Sequence, residues 1–133
     1  MEQSYLADTQ IVIWSVINPS MIIPAVQTIL QENVILVSEV SLLEIAIKQK
    51  IGRLPGLALS TDALADQLQS DGFHLLPIDR KHITAYDRIP LYGQHRDPFD
   101  RLLLATALVE GTPLISADEH FPLYSPFVRI IQA

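Results

Sequence analysis

The sequence predicts an α/β fold: a central, mostly parallel sheet of four or five strands covered by helices on both faces. Three observations carry this reading. Short apolar or β-branched runs alternate with longer segments of helical spacing through most of the 133 residues. The helical segments open on Ser, Thr or Asp and close on Gly, as in 38–52, 60–72 and 97–111. Hydrophobic residues make up 49% of the chain, with mean hydropathy +0.27, which suits a sheet buried on both sides. Strand–helix alternation implies right-handed crossovers, and ligands of such sheets bind at the carboxyl ends of the strands.

Residues 1–133 read as a single domain, since the length suits one core and neither repeats nor a linker interrupt it. Ser4–Ala7 is a first strand ending at Asp8, and Asp8 or Thr9 caps a helix through Ile11, Val12, Trp14 and Val16. Asn18-Pro19-Ser20 breaks that helix, a second follows over Met21–Gln31, and Val34–Val37 is the second strand. Ser38 caps a third helix that runs to about Ile51 and ends at Gly52. On it Val40, Leu43, Ile47 and Ile51 form one apolar stripe at 100° per residue, with Glu44 in its middle. A carboxylate among large apolar residues needs a partner or a metal, because burying a bare charge is costly. An i,i+4 pair with Lys48 supplies one such partner.

Arg53–Leu59 is a loop, Thr61–Ser70 a helix, Phe73–Ile78 a third strand, Asp79–Tyr86 a short helix and Ile89–Arg96 a surface loop. Asp97-Pro98-Phe99-Asp100 then starts a helix: Asp97 is the N-cap, Pro98 takes the first position, and Asp100 falls on the first turn, where the helix dipole favours a carboxylate. The helix runs to about Glu110 and stops at Gly111. Thr112–Ser116 is a buried strand with Asp118 just past its end; a turn over Glu119–Leu123 precedes a final strand, Phe127–Ile131.

Composition narrows the function. The formal charge of −6 and pI near 5.0 argue against a protein that coats nucleic acid, but not against an enzyme that binds it locally. The absence of cysteine excludes disulfides and thiolate metal sites. Neither a membrane-spanning run nor a signal peptide is legible, so a cytoplasmic protein without membrane association is expected.

Four acids, Asp8, Glu44, Asp100 and Asp118, with Asp97 as a fifth, fall at one end of the predicted sheet. Each also has a plain structural reading: Asp8, Asp97 and Asp118 as helix or turn caps, Asp100 as a dipole partner, Glu44 as the mate of Lys48. Together they describe a crevice in which like charges must either protonate or be neutralised by a divalent cation. Carboxylate oxygens suit Mg²⁺ or Mn²⁺. Such a site supports metal-assisted attack of water on a phosphodiester. His74, in a strand, reads as a core residue, and His82, His95 and His120 as surface residues; no Ser-His-Asp arrangement or Gly-rich phosphate loop is legible.

Two rival readings keep the fold and change the chemistry. A Mg²⁺-dependent phosphotransfer domain of receiver or phosphatase type needs acids that the chain does not offer: the 53–61 region holds no strand Asp, and Gln10 stands two residues after Asp8. A non-catalytic protein-binding module would use the high apolar content alone.

YLADTQIVIW, VSEVSLLEIAIKQKIGRL, HRDPFDRLLLATALVEG and LISADEHF resemble, in order, the motifs of PIN-domain proteins of the VapC toxin family. The resemblance covers nearly the whole chain. It implies a compact three-layer α/β/α sandwich and a Mg²⁺- or Mn²⁺-dependent endoribonuclease. It also implies a toxin of a toxin–antitoxin pair that forms a homodimer and is inhibited by a VapB-like antitoxin. Position by position, Asp8, Glu44, Asp100 and Asp118 match the family's metal-binding acids, and Asp97 belongs to the RDPFD variant as cap and support. Ser116 matches a hydroxyl residue near the site, while Arg96 and Arg101 are candidates to meet RNA phosphate or pair with the acids. Gln10 and Leu43 depart from the pattern, where His and Trp are common, and both bear on substrate preference.

Overall fold

The computed structural model describes residues 3–92 and 97–133. Five strands, β1 (Ser4–Ala7), β2 (Val34–Ser38), β3 (His74–Leu76), β4 (Leu114–Ser116) and β5 (Ile130–Gln132), form one sheet in the order β3-β2-β1-β4-β5. Every neighbouring pair is parallel, with Tyr5 opposite Ile35 and Leu6 opposite Leu114. The chain winds outward from β1 in both directions. The switch point therefore lies between β1 and β4, where an open parallel sheet leaves a crevice.

Among the described residues, six α-helices accompany the strands: α1 (Thr9–Ile17), α2 (Pro24–Glu32), α3 (Glu39–Lys50), α4 (Thr61–Ser70), α5 (Arg80–Ala85) and α6 (Pro98–Glu110). Alternate strand residues serve opposite layers. Ala7 and Ile115 pack with Ile11, Val12, Val26, Leu64 and Leu68 on one face. Leu6 and Leu114, one residue earlier, pack with Leu103, Leu104, Ala107, Phe121 and Tyr124 on the other. This is the period-2 geometry of a strand covered on both sides, and it makes the molecule a three-layer α/β/α sandwich.

The largest local departure from expectation is at α2. Pro19–Met21 forms a separate 3₁₀ turn, and the α-helix begins only at Pro24. Proline lacks an N–H and fits the first helical turn, so Pro24 marks a start better than the apolar Met21 does. The outer strands β3 and β5 are three residues each, shorter than the apolar runs around them. Elsewhere the punctuation is as read: Ser38 and Ser60 cap α3 and α4, and Gly111, at φ +67°, ends α6 in the left-handed region open to glycine.

The stripe on α3 is not buried. Val40 packs in the core, but Leu43, Ile47 and Ile51 are 52%, 41% and 59% exposed. The face that meets the sheet is instead Val40, Ser41 and Ile45, and Glu44 lies beside it. Periodicity defines a stripe but not which neighbouring stripe turns inward; here the smaller Ser41 admits close approach to α1.

The histidines also exchange roles. His74 is exposed on the edge strand. His82 is 2% exposed, with Nδ1 accepting from the Asp79 N–H at 3.0 Å and Nε2 lying 2.7 Å from Glu110. Both ring nitrogens are thus satisfied, which permits the burial. His95 lies outside the described residues.

Candidate metal centre

Asp8 directly follows β1, and its N–H donates to the Ile115 carbonyl at 3.0 Å, fixing it at the β1–β4 switch point. Its side chain is 5% exposed and fully engaged: Oδ1 accepts the Ile11 N–H at 2.9 Å, capping α1, and Oδ2 accepts the Ser116 hydroxyl at 2.6 Å. Burial pushes its pKa up to about 6. Hydrogen bonds from Ser116, Ile11 and Ala117 pull the other way, and Asp118 adds to the rise.

Ser116, at 0% exposure on β4, also accepts the Asp118 N–H at 2.9 Å, so one hydroxyl ties Asp8 to the strand end that carries Asp118. Asp118 Oδ1 accepts the His120 N–H at 2.7 Å and faces His120 Nδ1 at 3.1 Å. Asp118 thus closes a local turn onto His120, and His120, not Asp118, stands at the N-cap of the 3₁₀ turn over Phe121–Tyr124.

From α3, Glu44 reaches the same end. Thr9 donates to Glu44 Oε1 at 2.7 Å and exchanges a 2.9 Å hydrogen bond with Ser41; Lys48 Nζ lies 3.2 Å from Oε2. The Glu44 side chain is only 13% exposed. Both the ion pair and the inward placement therefore hold at once. Sequence reading passed over Thr9 and Ser41 as positioning groups. The usable signal was spacing: Ser41 lies three residues before Glu44, on the same face of a helix.

Asp97 caps α6, its Oδ1 accepting from Phe99 at 2.8 Å and from Asp100 at 3.1 Å. It thereby holds the backbone of Asp100 itself. Asp100 is half-buried, and its pKa is pushed up to about 8, first by desolvation and then by Asp97, Asp118, Glu44 and Asp8. Four acids from separate elements thus act on one carboxyl group, and α1, α3, α6 and β4 converge there.

The expectation that Arg101 meets RNA phosphate is corrected. Arg101 is 4% exposed; its guanidinium donates to the Ile89 carbonyl at 2.6 Å and the Pro90 carbonyl at 2.9 Å and lies 4.9 Å from the centre of the Tyr86 ring. One residue after Asp100, the helix has turned by about 100° and its side chain enters the core. Arg96 lies outside the described residues.

The donor set is all carboxylate oxygen, as Mg²⁺ or Mn²⁺ prefers. Among the described residues, no three Asp, Glu or His side chains close into a ready-made cation cage. Mg²⁺ keeps several waters and takes one or two carboxylates directly, so it does not require such a cage. In donor chemistry the residues present fit such an ion.

A family model, the PIN domain, matches residues 5–125. The chain belongs to the PIN-domain family. PIN domains are typically nucleases. No curated protein matches this PIN domain closely enough in sequence to count as a relative. Its fold is shared by solved structures. A VapBC2 complex from Rickettsia felis, bound to a promoter DNA fragment, contains a chain 16% identical with TM-score 0.66, covering 98% of both chains. FitAcB from Neisseria gonorrhoeae matches at 20% identity and TM-score 0.65 over 96% of each chain. VapBC-5 from Mycobacterium tuberculosis, a member of the VapBC toxin–antitoxin family, matches at 22% identity and TM-score 0.57 over 98% of each.

Proposed function

We propose that this PIN domain is a Mg²⁺- or Mn²⁺-dependent endoribonuclease and the toxin of a VapBC-type pair, acting in the cytoplasm. The observation that carries the reading is geometric: Ser116 ties Asp8 to the strand end that carries Asp118, and Thr9, next to Asp8, holds Glu44 at the same end of the sheet. Desolvation first, and then these neighbours, push the Asp100 carboxyl up to about 8, which disfavours its charged form until a cation joins them. Asp8, Glu44, Asp100 and Asp118 are the residues that would hold it. The ion, when bound, supplies an activated water and stabilises charge developing on phosphate.

The chain's own residues prepare that geometry. Ser116 fixes Asp8 Oδ2, Thr9 fixes Glu44 Oε1, and Asp97 fixes the first turn that presents Asp100. Ser116 and Thr9 donate, and Asp97 accepts from the Asp100 N–H, so the acids are aimed by the fold before a cation arrives, which lowers the ordering cost of binding. A cation held there would displace the proton that burial and the neighbouring acids favour on Asp100.

The partners follow from the same reading: RNA as substrate, a VapB-like antitoxin as inhibitor, and a second copy as homodimer. The exposed Leu43, Ile47 and Ile51 on α3 favour a covered surface. No helix among the described residues is long and apolar enough to cross a membrane. Sequencing of RNA 5′ ends after induced expression tests the function. New ends and growth arrest with wild type, both lost with Asp8→Asn, support it; identical ends from both proteins contradict it.

A further inference from the structure

We infer that Arg101 is a positioning residue of the metal centre: an internal clamp that holds the first turn of α6, and with it Asp100, against the segment leading into that helix. The inference rests on the nuclease reading above. It adds a group that acts through Asp100 and touches neither cation nor RNA. Arg101 is 4% exposed, a state arginine seldom adopts without a carboxylate partner. Its guanidinium donates to the Ile89 carbonyl at 2.6 Å and the Pro90 carbonyl at 2.9 Å, and lies 4.9 Å from the centre of the Tyr86 ring. It also hydrogen-bonds the Tyr124 hydroxyl. Among the described residues, no ion pair includes it.

A buried guanidinium is a costly way to fill a core. What it supplies is a rigid planar fork that ties separate parts of the fold to one residue of α6. The segment before α6 is gripped at Tyr86, Ile89 and Pro90 by Arg101, and at Tyr92 by the Tyr124 ring, 5.0 Å away. The backbone N–H of Arg101 donates to the Asp97 carbonyl at 3.1 Å, so the clamp is rooted in the turn that Asp97 caps. Asp100 stands inside that turn, one residue before Arg101, and a shift of the turn carries its carboxyl along. Tyr124 lies close to both residues. Burial pushes its phenol up, the charge and hydrogen bond of Arg101 pull it down, and Tyr92 and Asp100 add to the rise. Asp97 thus fixes the turn from its open end and Arg101 from the core side.

The test uses the purified full chain. Mn²⁺ affinity is measured by calorimetry, and KM and kcat at saturating Mn²⁺ on a random pool of short single-stranded RNA. Wild type is compared with Arg101→Lys, Tyr124→Phe and Arg129→Gln. Lysine keeps the charge but lacks the fork that holds both carbonyls. Arg101→Lys is expected to bind Mn²⁺ about 10–100-fold more weakly, the loss typical of a group that orients a ligand, and to keep KM within about twofold. Tyr124→Phe keeps the ring and removes the hydroxyl, and should weaken Mn²⁺ binding in the same direction by less. Arg129→Gln, exposed just before β5 at the opposite end of the sheet, should match wild type. An Arg101→Lys protein that melts lower but binds Mn²⁺ as wild type does overturns the proposal and leaves Arg101 a core support. A rise in KM with unchanged Mn²⁺ affinity also overturns it, by placing Arg101 on the RNA. If Arg101→Lys does not fold, Tyr124→Phe decides, and wild-type Mn²⁺ affinity in that protein overturns the proposal. If wild type itself binds no Mn²⁺ and cuts no RNA, the nuclease reading fails and the role of Arg101 with it.

Discussion

Asp8 and Asp100 are two acids of one crevice, held in opposite ways. Asp8 is the more deeply buried, yet its pKa rises only to about 6, because Ser116 and two backbone N–H groups stabilise its charge. Asp100 is less buried and rises to about 8, because desolvation and four neighbouring carboxylates all push the same way. Depth alone therefore does not set the cost of a buried charge; donors and neighbours decide it. Asp8 is an anchor whose charge the Ser116 hydroxyl and the Ile11 N–H support. At Asp100 a cation would offset the push of four neighbouring carboxylates.

The largest effect expected from breaking either acid is on chemistry. Asp8→Asn and Asp100→Asn should each lower RNA cleavage by more than about 10²-fold, beyond the loss typical of an outer support, in a protein whose circular dichroism is unchanged. The two should differ in stability. Asp100→Asn removes the crowded charge and should raise the melting temperature of the metal-free protein at about pH 8. Asp8→Asn replaces an acceptor of the Ser116 and Ile11 hydrogen bonds and should lower it.

Ser116→Ala comes next. It removes the donor to Asp8 Oδ2 and the acceptor of the Asp118 N–H, both in a buried place. A stability loss of about 1–3 kcal/mol by denaturant titration is expected, with Mn²⁺ bound about 10–100-fold more weakly.

The pH dependence of stability follows from the raised values. Below the ordinary carboxylate pKa of 3.8 both native and unfolded chains hold these protons, and the contribution is whole. Above it the unfolded chain releases protons that the native state keeps, so stability declines as pH rises, through about 6 for Asp8 and about 8 for Asp100. Thermal melts of metal-free protein from about pH 4 to about pH 8 should show this fall, with the part above pH 6 removed in Asp100→Asn. A flat profile would count against the crowding of Asp100.

The smallest effect is at Asp97. Asp97→Ala should cost about 1 kcal/mol as a lost helix cap. It should also bring the Asp100 pKa down, since Asp97 is the first of its charged neighbours. Cleavage is expected to weaken modestly, far less than in Asp100→Asn.

Much of this was legible in the sequence because it is local. Asp97-Pro98 and Gly111 state where α6 begins and ends, and Asp8 and Asp118 follow strands whose parallel alternation puts them at one end of a sheet. What was illegible depends on contacts across the fold. The stripe of Leu43, Ile47 and Ile51 has the right period but the wrong direction, since Ser41 faces α1 instead. His82 is buried only because Glu110, 28 residues away, receives its Nε2. Arg101 reads as a candidate for RNA phosphate or for the acids, but its partners are the carbonyls of Ile89 and Pro90. Thr9 escaped notice because its bond to Glu44 spans 35 residues.

The central claim is that Asp8, Glu44, Asp100 and Asp118 hold a divalent cation that replaces the proton of Asp100. Calorimetric titration with Mn²⁺ at about pH 7, repeated in buffers of different ionisation enthalpy, tests it most directly. Wild type should bind Mn²⁺ with release of about one proton, and Asp100→Asn should bind at least about tenfold more weakly and release less. A wild-type protein that takes up no Mn²⁺, or an Asp100→Asn protein that binds as tightly with the same proton release, would contradict the account.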